Sequence, residues 1–187
     1  SDVCSSDLGV TDSYVGLGIT WTNLIGTGND ITLVNGPTYN SSNGGSIVFD
    51  GSNDYGEKST NSSFTPNGGF TIETWINFSG VNADRGIFNH SGFTYLNLYN
   101  AANSKLRLEY ASTAANNTQL FSTLTLSTGT WYHMVGVVDN SSGARIYING
   151  ALDNSNSIAG NLTSTITSTL YVGYNTTQYF PFSKIAI

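Results

Sequence analysis

Twelve acidic residues, two histidines and a lone cysteine carry most of the conventional chemistry open to this 187-residue chain. Hydrolysis by general acid and base needs two carboxylates whose environments hold their pKa values apart. The three glutamates are Glu57, Glu73 and Glu109, and no carboxylate lies two or four residues beyond Glu73, so catalysis is not expected. His133 sits two residues from Trp131 in an apolar run and reads as a packed, hydrogen-bonded imidazole. His90, placed in a turn, has no Cys or His nearby to share a zinc ion. Nucleophile-elbow, phosphate-loop and dinucleotide motifs are missing. Asp50 and Asp54, in Phe49-Asp-Gly-Ser-Asn-Asp-Tyr55, are the metal candidates. A tight Gly-containing loop with two carboxylates, an amide and carbonyls offers several of the roughly six to eight oxygens that calcium takes, and Ca2+ is the one cofactor expected. The competing reading makes Asp50 an Asx cap of the turn and leaves Asp54 to solvent.

Recognition of an uncharged, hydroxyl-rich ligand is better provided for, because aromatic rings stack on apolar sugar faces while neighbouring polar groups fix hydroxyls. Such residues fall on the outward phase of alternating runs. In Thr94 to Asn100 (TYLNLYN), Leu96 and Leu98 share the inner face and leave Tyr95, Asn97 and Tyr99 outside. Lys105 to Tyr110 (KLRLEY) turns Leu106, Leu108 and Tyr110 inward and Lys105, Arg107 and Glu109 outward. Phe70 to Phe78 (FTIETWINF) buries Phe70, Ile72, Ile76 and Phe78 and projects Glu73 and Trp75; Ala144 to Asn149 (ARIYIN) buries Ile146 and Ile148 and projects Arg145 and Tyr147. Pooled on one sheet, Trp75, Tyr95, Asn97, Tyr99, Arg107, Arg145 and Tyr147 form the expected ligand platform.

The elements that must hold these residues are strands. Further alternating runs cover 46–50, 131–139 and 169–172, and Gly, Asn and Ser clusters at 40–45, 66–69 and 140–143 separate the runs. Trp131 to Asp139 (WYHMVGVVD) is apolar on both phases, as for a central strand covered on both sides. Asn149-Gly150 marks a two-residue hairpin, whose type I′ turn needs positive φ at both positions. No window keeps a helical apolar stripe. The chain therefore reads as an all-β antiparallel sandwich.

Composition supports this. Charged residues make up 10% of the chain, and Asn, Ser and Thr supply 22 + 47 = 69 of its residues. A net charge of −6 with six dispersed basic residues excludes a nucleic-acid or anionic-membrane surface. No apolar run approaches the roughly 20 residues of a spanning helix, so membrane insertion is not expected.

In chain order come Trp21-Thr-Asn-Leu24, Leu33-Val-Asn-Gly-Pro-Thr-Tyr39, Ser46 to Tyr55 (SIVFDGSNDY), FTIETWINF, Trp131-Tyr-His133 and Ile146-Tyr-Ile-Asn-Gly150. The ordered set resembles a laminin-G-like domain of the concanavalin A-like lectin/glucanase superfamily, in the form common in bacterial surface and phage virion proteins. The resemblance implies a jelly-roll β-sandwich of two curved antiparallel sheets over 13–187. It also implies a last strand continuing beyond Ile187, whose loss would leave an unpaired position beside the N-terminal strand. Residues 1–12 are expected to be a non-native or disordered leader, since Ser1 to Leu8 resembles translated sequencing-adapter sequence. The E-x-D-x-E strand of glucanases with this fold is missing here.

The resulting expectation is a non-catalytic carbohydrate-binding or adhesive module of a larger extracellular, cell-surface or virion protein, with a glycan or surface polysaccharide as partner. A structural or decorating virion or filament domain, contacting other copies or surface proteins, is the alternative. A glycoside hydrolase is the third reading.

Overall fold

The computed structural model describes residues 13–14, 16–25, 28–59, 68–80, 85–90, 94–99, 103–110, 118–158, 169–174 and 183–186, with backbone alone at His90, 94–99 and 183–186. Its strands are β1 (Thr20–Trp21), β2 (Ile31–Val34), β3 (Thr38–Asn40), β4 (Ser46–Phe49), β5 (Tyr55–Lys58), β6 (Gly69–Phe78), β7 (Arg85–His90), β8 (Thr94–Tyr99), β9 (Lys105–Tyr110), β10 (Thr118–Phe121), β11 (Trp131–Asp139), β12 (Gly143–Ile148), β13 (Ala151–Ser155), β14 (Leu170–Val172) and β15 (Ser183–Ala186). They form an eight-stranded sheet, β1-β2-β5-β14-β7-β8-β9-β10, and a seven-stranded sheet, β13-β12-β11-β6-β15-β4-β3. All the pairings are antiparallel. This is the antiparallel sandwich that the alternation predicts and the jelly roll that the family resemblance implies. No helix among the described residues is long and apolar enough to cross a membrane.

The core lies where the inner phases of the two sheets meet. Ile47, Phe49, Ile76, Phe78, Met134 and Ile146 come from the seven-stranded sheet, and Trp21, Ile87, Leu106, Leu108 and Tyr110 from the other; all are at most 1% exposed. Each such large apolar side chain contributes about 1.5–3 kcal/mol of burial free energy. Close approach is enforced at Gly56 of β5, where a Cβ would stand 2.8 Å from the Ile31 side chain. The β12–β13 hairpin turns on Asn149 and Gly150 with φ of 53° and 80°, the conformation expected of the Asn-Gly pair.

Three expectations need correction. Strand β9 is buried on both faces: Arg107 and Glu109 are covered as well as Leu106, Leu108 and Tyr110. Strand β11 is central, between β6 and β12, yet its outer phase (Trp131, His133, Val135, Val137) is only half-buried, so the sheet is not covered there. His90 closes strand β7 rather than sitting in a turn. The C-terminal strand β15 pairs with β4 on one side and β6 on the other, deep inside the seven-stranded sheet. β1 lies at the edge of the eight-stranded sheet, paired with β2.

Candidate functional site

Two outward faces emerge, one on each sheet. On the seven-stranded sheet, β6 and β11 pair so that His133 opposes Trp75 and Val135 opposes Glu73, while β12 brings Tyr147 opposite Val135 and Arg145 opposite Val137. Trp75 is 50% exposed. Its ring centroid lies 5.0 Å from that of His133, tilted by 32°. The imidazole Nε2 is 2.7 Å from Glu73 Oε1, which sets the ring's orientation. The hairpin turn fixes the backbone beneath it: His133 N–H donates to Asn149 Oδ1 at 3.0 Å, and Asn149 N–H donates to the His133 carbonyl at 2.8 Å. Trp75 is therefore a presented indole on an ordered base, with an exposed carboxylate beside it. Tyr147 is half-buried two strands away, and Arg145 is drawn aside, its Nη2 donating to Ser142 Oγ at 2.7 Å.

The expected single platform is divided by the topology. Trp75, Arg145 and Tyr147 belong to the seven-stranded sheet, whereas Tyr95, Asn97, Tyr99 and Arg107 belong to the eight-stranded one. Core faces meet in a sandwich, so its outer faces point in opposite directions and one ligand ring cannot touch both groups. The backbone register sets Tyr95, Asn97 and Tyr99 across from Glu109, Arg107 and Lys105, on the shared phase that alternation gave; the side chains of the first three lie outside the described residues. Arg107 Nε is 3.2 Å from Glu109 Oε2, in a pair whose side chains are 11% and 8% exposed. Arg107 is thus a buried structural ion-pair partner and not an open contact residue.

The eight-stranded face carries residues the sequence reading passed over. One rung runs Glu57, Tyr171, Asn89, Tyr95, Glu109, Gln119 across β5, β14, β7, β8, β9 and β10. Asn89 is 0% exposed, and among the described residues neither its amide oxygen nor its nitrogen has a hydrogen-bond partner. An unmatched buried amide costs about 1–3 kcal/mol per group. Beside it Tyr55, Tyr171 and Tyr174 form an aromatic cluster with centroids 5.3 to 5.9 Å apart. Tyr171 was legible as the outward residue between Leu170 and Val172. Asn89 was not, because a register shift between Gly86 and Phe88 resets the phase of β7.

At the metal candidate, Asp50 Oδ1 accepts from the N–H groups of Ser52 (2.7 Å) and Asn53 (3.2 Å), and Asp54 Oδ2 accepts from the Asp50 N–H (3.1 Å). Asp50 caps the turn, as the competing reading held, but Asp54 is buried rather than left to solvent. Bonds from the loop amides, Ser52 first, hold the Asp50 carboxyl below the ordinary aspartate range, and burial pushes Asp54 above it. Among the described residues no group of three or more His, Cys, Asp or Glu gathers as metal ligands.

The carboxylates also bear on hydrolysis. Glu73 points away from the other two glutamates, and Glu57 and Glu109 share a face but stand four strand spacings apart, about 19 Å. A glycosidase pair needs about 5–9.5 Å.

The fold is a jelly roll whose three glutamates stand too far apart to act as a glycosidase pair. The family model of the concanavalin A-like lectin/glucanases superfamily, in its laminin-G form, matches residues 50–183, and the chain belongs to that family. No curated protein matches its sequence. Among solved structures it is similar to the receptor binding domain of botulinum neurotoxin C/D mosaic serotype (15% identity, TM-score 0.73, 95% of this chain and 47% of that one). It is also similar to the binding domain of Paraclostridial Mosquitocidal Protein 1 (16%, 0.69, 88% and 44%). A third is the botulinum neurotoxin serotype D ligand binding domain, solved in complex with N-acetylneuraminic acid (15%, 0.69, 88% and 42%). The chain spans less than half of each of these, and at such identities the likeness is one of fold. All three are binding domains.

Proposed function

We propose that this chain is a non-catalytic carbohydrate-binding module of a larger extracellular or virion protein, and that it takes its ligand on the outer face of the seven-stranded sheet. The observation that carries this is the half-exposed Trp75 indole, backed by His133 and flanked by the exposed Glu73 carboxylate. Indole faces stack on the apolar face of a pyranose, and the carboxylate accepts from hydroxyls at its rim. The superfamily's lectin members and a neighbour crystallised with a sugar are in keeping with it. The separation of the glutamates supports binding over hydrolysis.

A printed glycan array followed by calorimetric titration tests the proposal. Trp75→Ala should weaken binding of the best printed glycan at least tenfold while the melting temperature moves little. Unchanged binding by Trp75→Ala would remove the site. A wild-type protein that retains no printed glycan would leave the structural, decorating role as the better reading.

A further inference from the structure

From the tyrosine cluster and the unpartnered amide of the eight-stranded sheet, we infer a second, independent binding face for a neutral oligosaccharide, which makes the module bivalent. The inference rests on the carbohydrate-binding reading above but uses none of the same residues. Tyr171 is the direct rung partner of Asn89 on one side and of Glu57 on the other. Directly opposed side chains on one sheet face stand about 4.5–5.5 Å apart at Cβ, so the three form one contiguous strip. Tyr55 and Tyr174 pack against Tyr171 at 5.9 and 5.3 Å and widen that strip with partly exposed ring surface.

The chemistry of the strip is that of sugar recognition. A primary amide has two donor hydrogens and an acceptor oxygen, which match a pair of adjacent hydroxyls in both senses. At Asn89 that capacity is unused among the described residues: the side chain is fully buried and both polar atoms lack partners there. A site built to bond hydroxyls discriminates strongly, because a ligand without them leaves the amide unmatched. Glu57 and a net charge of −6 disfavour a polyanionic chain, so the occupant is a neutral hexose or N-acetylhexosamine oligosaccharide. Because the amide is fully buried in this structure, a ligand reaches it only when it is uncovered. The two outer faces of a sandwich point apart, so two occupied faces hold separate glycan chains and cross-link them.

The probe is an array of neutral gluco-, galacto-, manno- and N-acetylhexosamine oligosaccharides, read with wild type, Trp75→Ala, Tyr171→Ala and Asn89→Leu. Asn89→Leu keeps the tyrosine cluster, removes only the amide and should be at least as stable as wild type, so its loss of binding cannot be ascribed to unfolding. The inference expects Trp75→Ala to retain a subset of printed glycans, Tyr171→Ala and Asn89→Leu each to lose that subset at least tenfold, and wild type alone to agglutinate beads bearing both glycan types. If Trp75→Ala loses every glycan, the second face is overturned and the Trp75 platform stands. If the subset survives in Asn89→Leu and Tyr171→Ala, the second face is likewise overturned. Loss of all binding in Tyr171→Ala or Asn89→Leu, with Trp75→Ala unaffected, overturns the Trp75 platform and leaves this face as the single site. No binding by wild type overturns both.

Discussion

The outer faces of the two sheets are built from the same alternation and end in opposite physical states. On the seven-stranded sheet the outward phase is open: Trp75 is 50% exposed and the Glu73 side chain 63%. On the eight-stranded sheet the outward phase is closed over β7 and β9, with Asn89 at 0% and Arg107 and Glu109 at 9% and 6%. Polar groups on the open face are satisfied by neighbours, His133 by Glu73 and Arg145 by Ser142. On the closed face one amide is left unmatched. Period two tells which side of its own strand a residue takes; it carries no information on what lies above that side.

Substitutions along one strand set the scale of this contrast. On β6, Phe78→Ala empties a core position and should cost about 3–5 kcal/mol, while Trp75→Ala, three residues away on the outer phase, should cost about 1 kcal/mol. Chemical denaturation of the two variants measures both, and comparable losses would mean that the open face is covered in solution. The arginines compare the faces directly. Arg107→Ala strands a buried carboxylate and should cost about 3 kcal/mol, whereas Arg145→Ala should stay within about 0.5 kcal/mol. Equal costs would erase the distinction between open and closed faces.

A smaller effect comes from the β11–β12 turn. The Asp139 carboxyl, held by the hydroxyl and N–H of Ser141 and by Ser142, has its pKa lowered from 3.8 to about 2. A depressed carboxylate stabilises the fold above its unfolded pKa, and that contribution is lost as pH falls through the folded value. The melting-temperature gap between wild type and Asp139→Ala should therefore be constant above about pH 5 and close between about pH 4 and 2. A gap that persists at pH 2 would assign the effect to packing. The smallest shift belongs to the Asp50–Asp54 loop, whose carboxylates already bond its own amides. Millimolar calcium should leave the melting temperature where a chelator puts it; a clear rise, by mass action on the native state, would make the loop a calcium site.

The runs of FTIETWINF, KLRLEY, WYHMVGVVD and ARIYI became strands close to their sequence boundaries because each is long enough for alternation to show. Short or polar strands such as Tyr55–Lys58 and Ala151–Ser155 were illegible, since tertiary pairing and not local preference holds them extended. The Asx cap at Asp50 was readable from local spacing, and the burial of Asp54 was not.

By itself the sequence determined the all-β class, the hairpin at Asn149-Gly150, the inward phase of each long strand and the outward projection of Trp75 and Tyr147. Those are consequences of backbone geometry within a few residues. Only the tertiary structure decided that Trp75 and Tyr147 share one sheet while Tyr95, Asn97 and Tyr99 occupy the other, that Arg107 and Glu109 are covered, and that Asn89 is buried beside Tyr171. Sheet membership is set by pairing between segments far apart in the chain, where a pleat of period two looks the same in either sheet. Burial of an outward face depends on what packs over it, which no strand encodes alone.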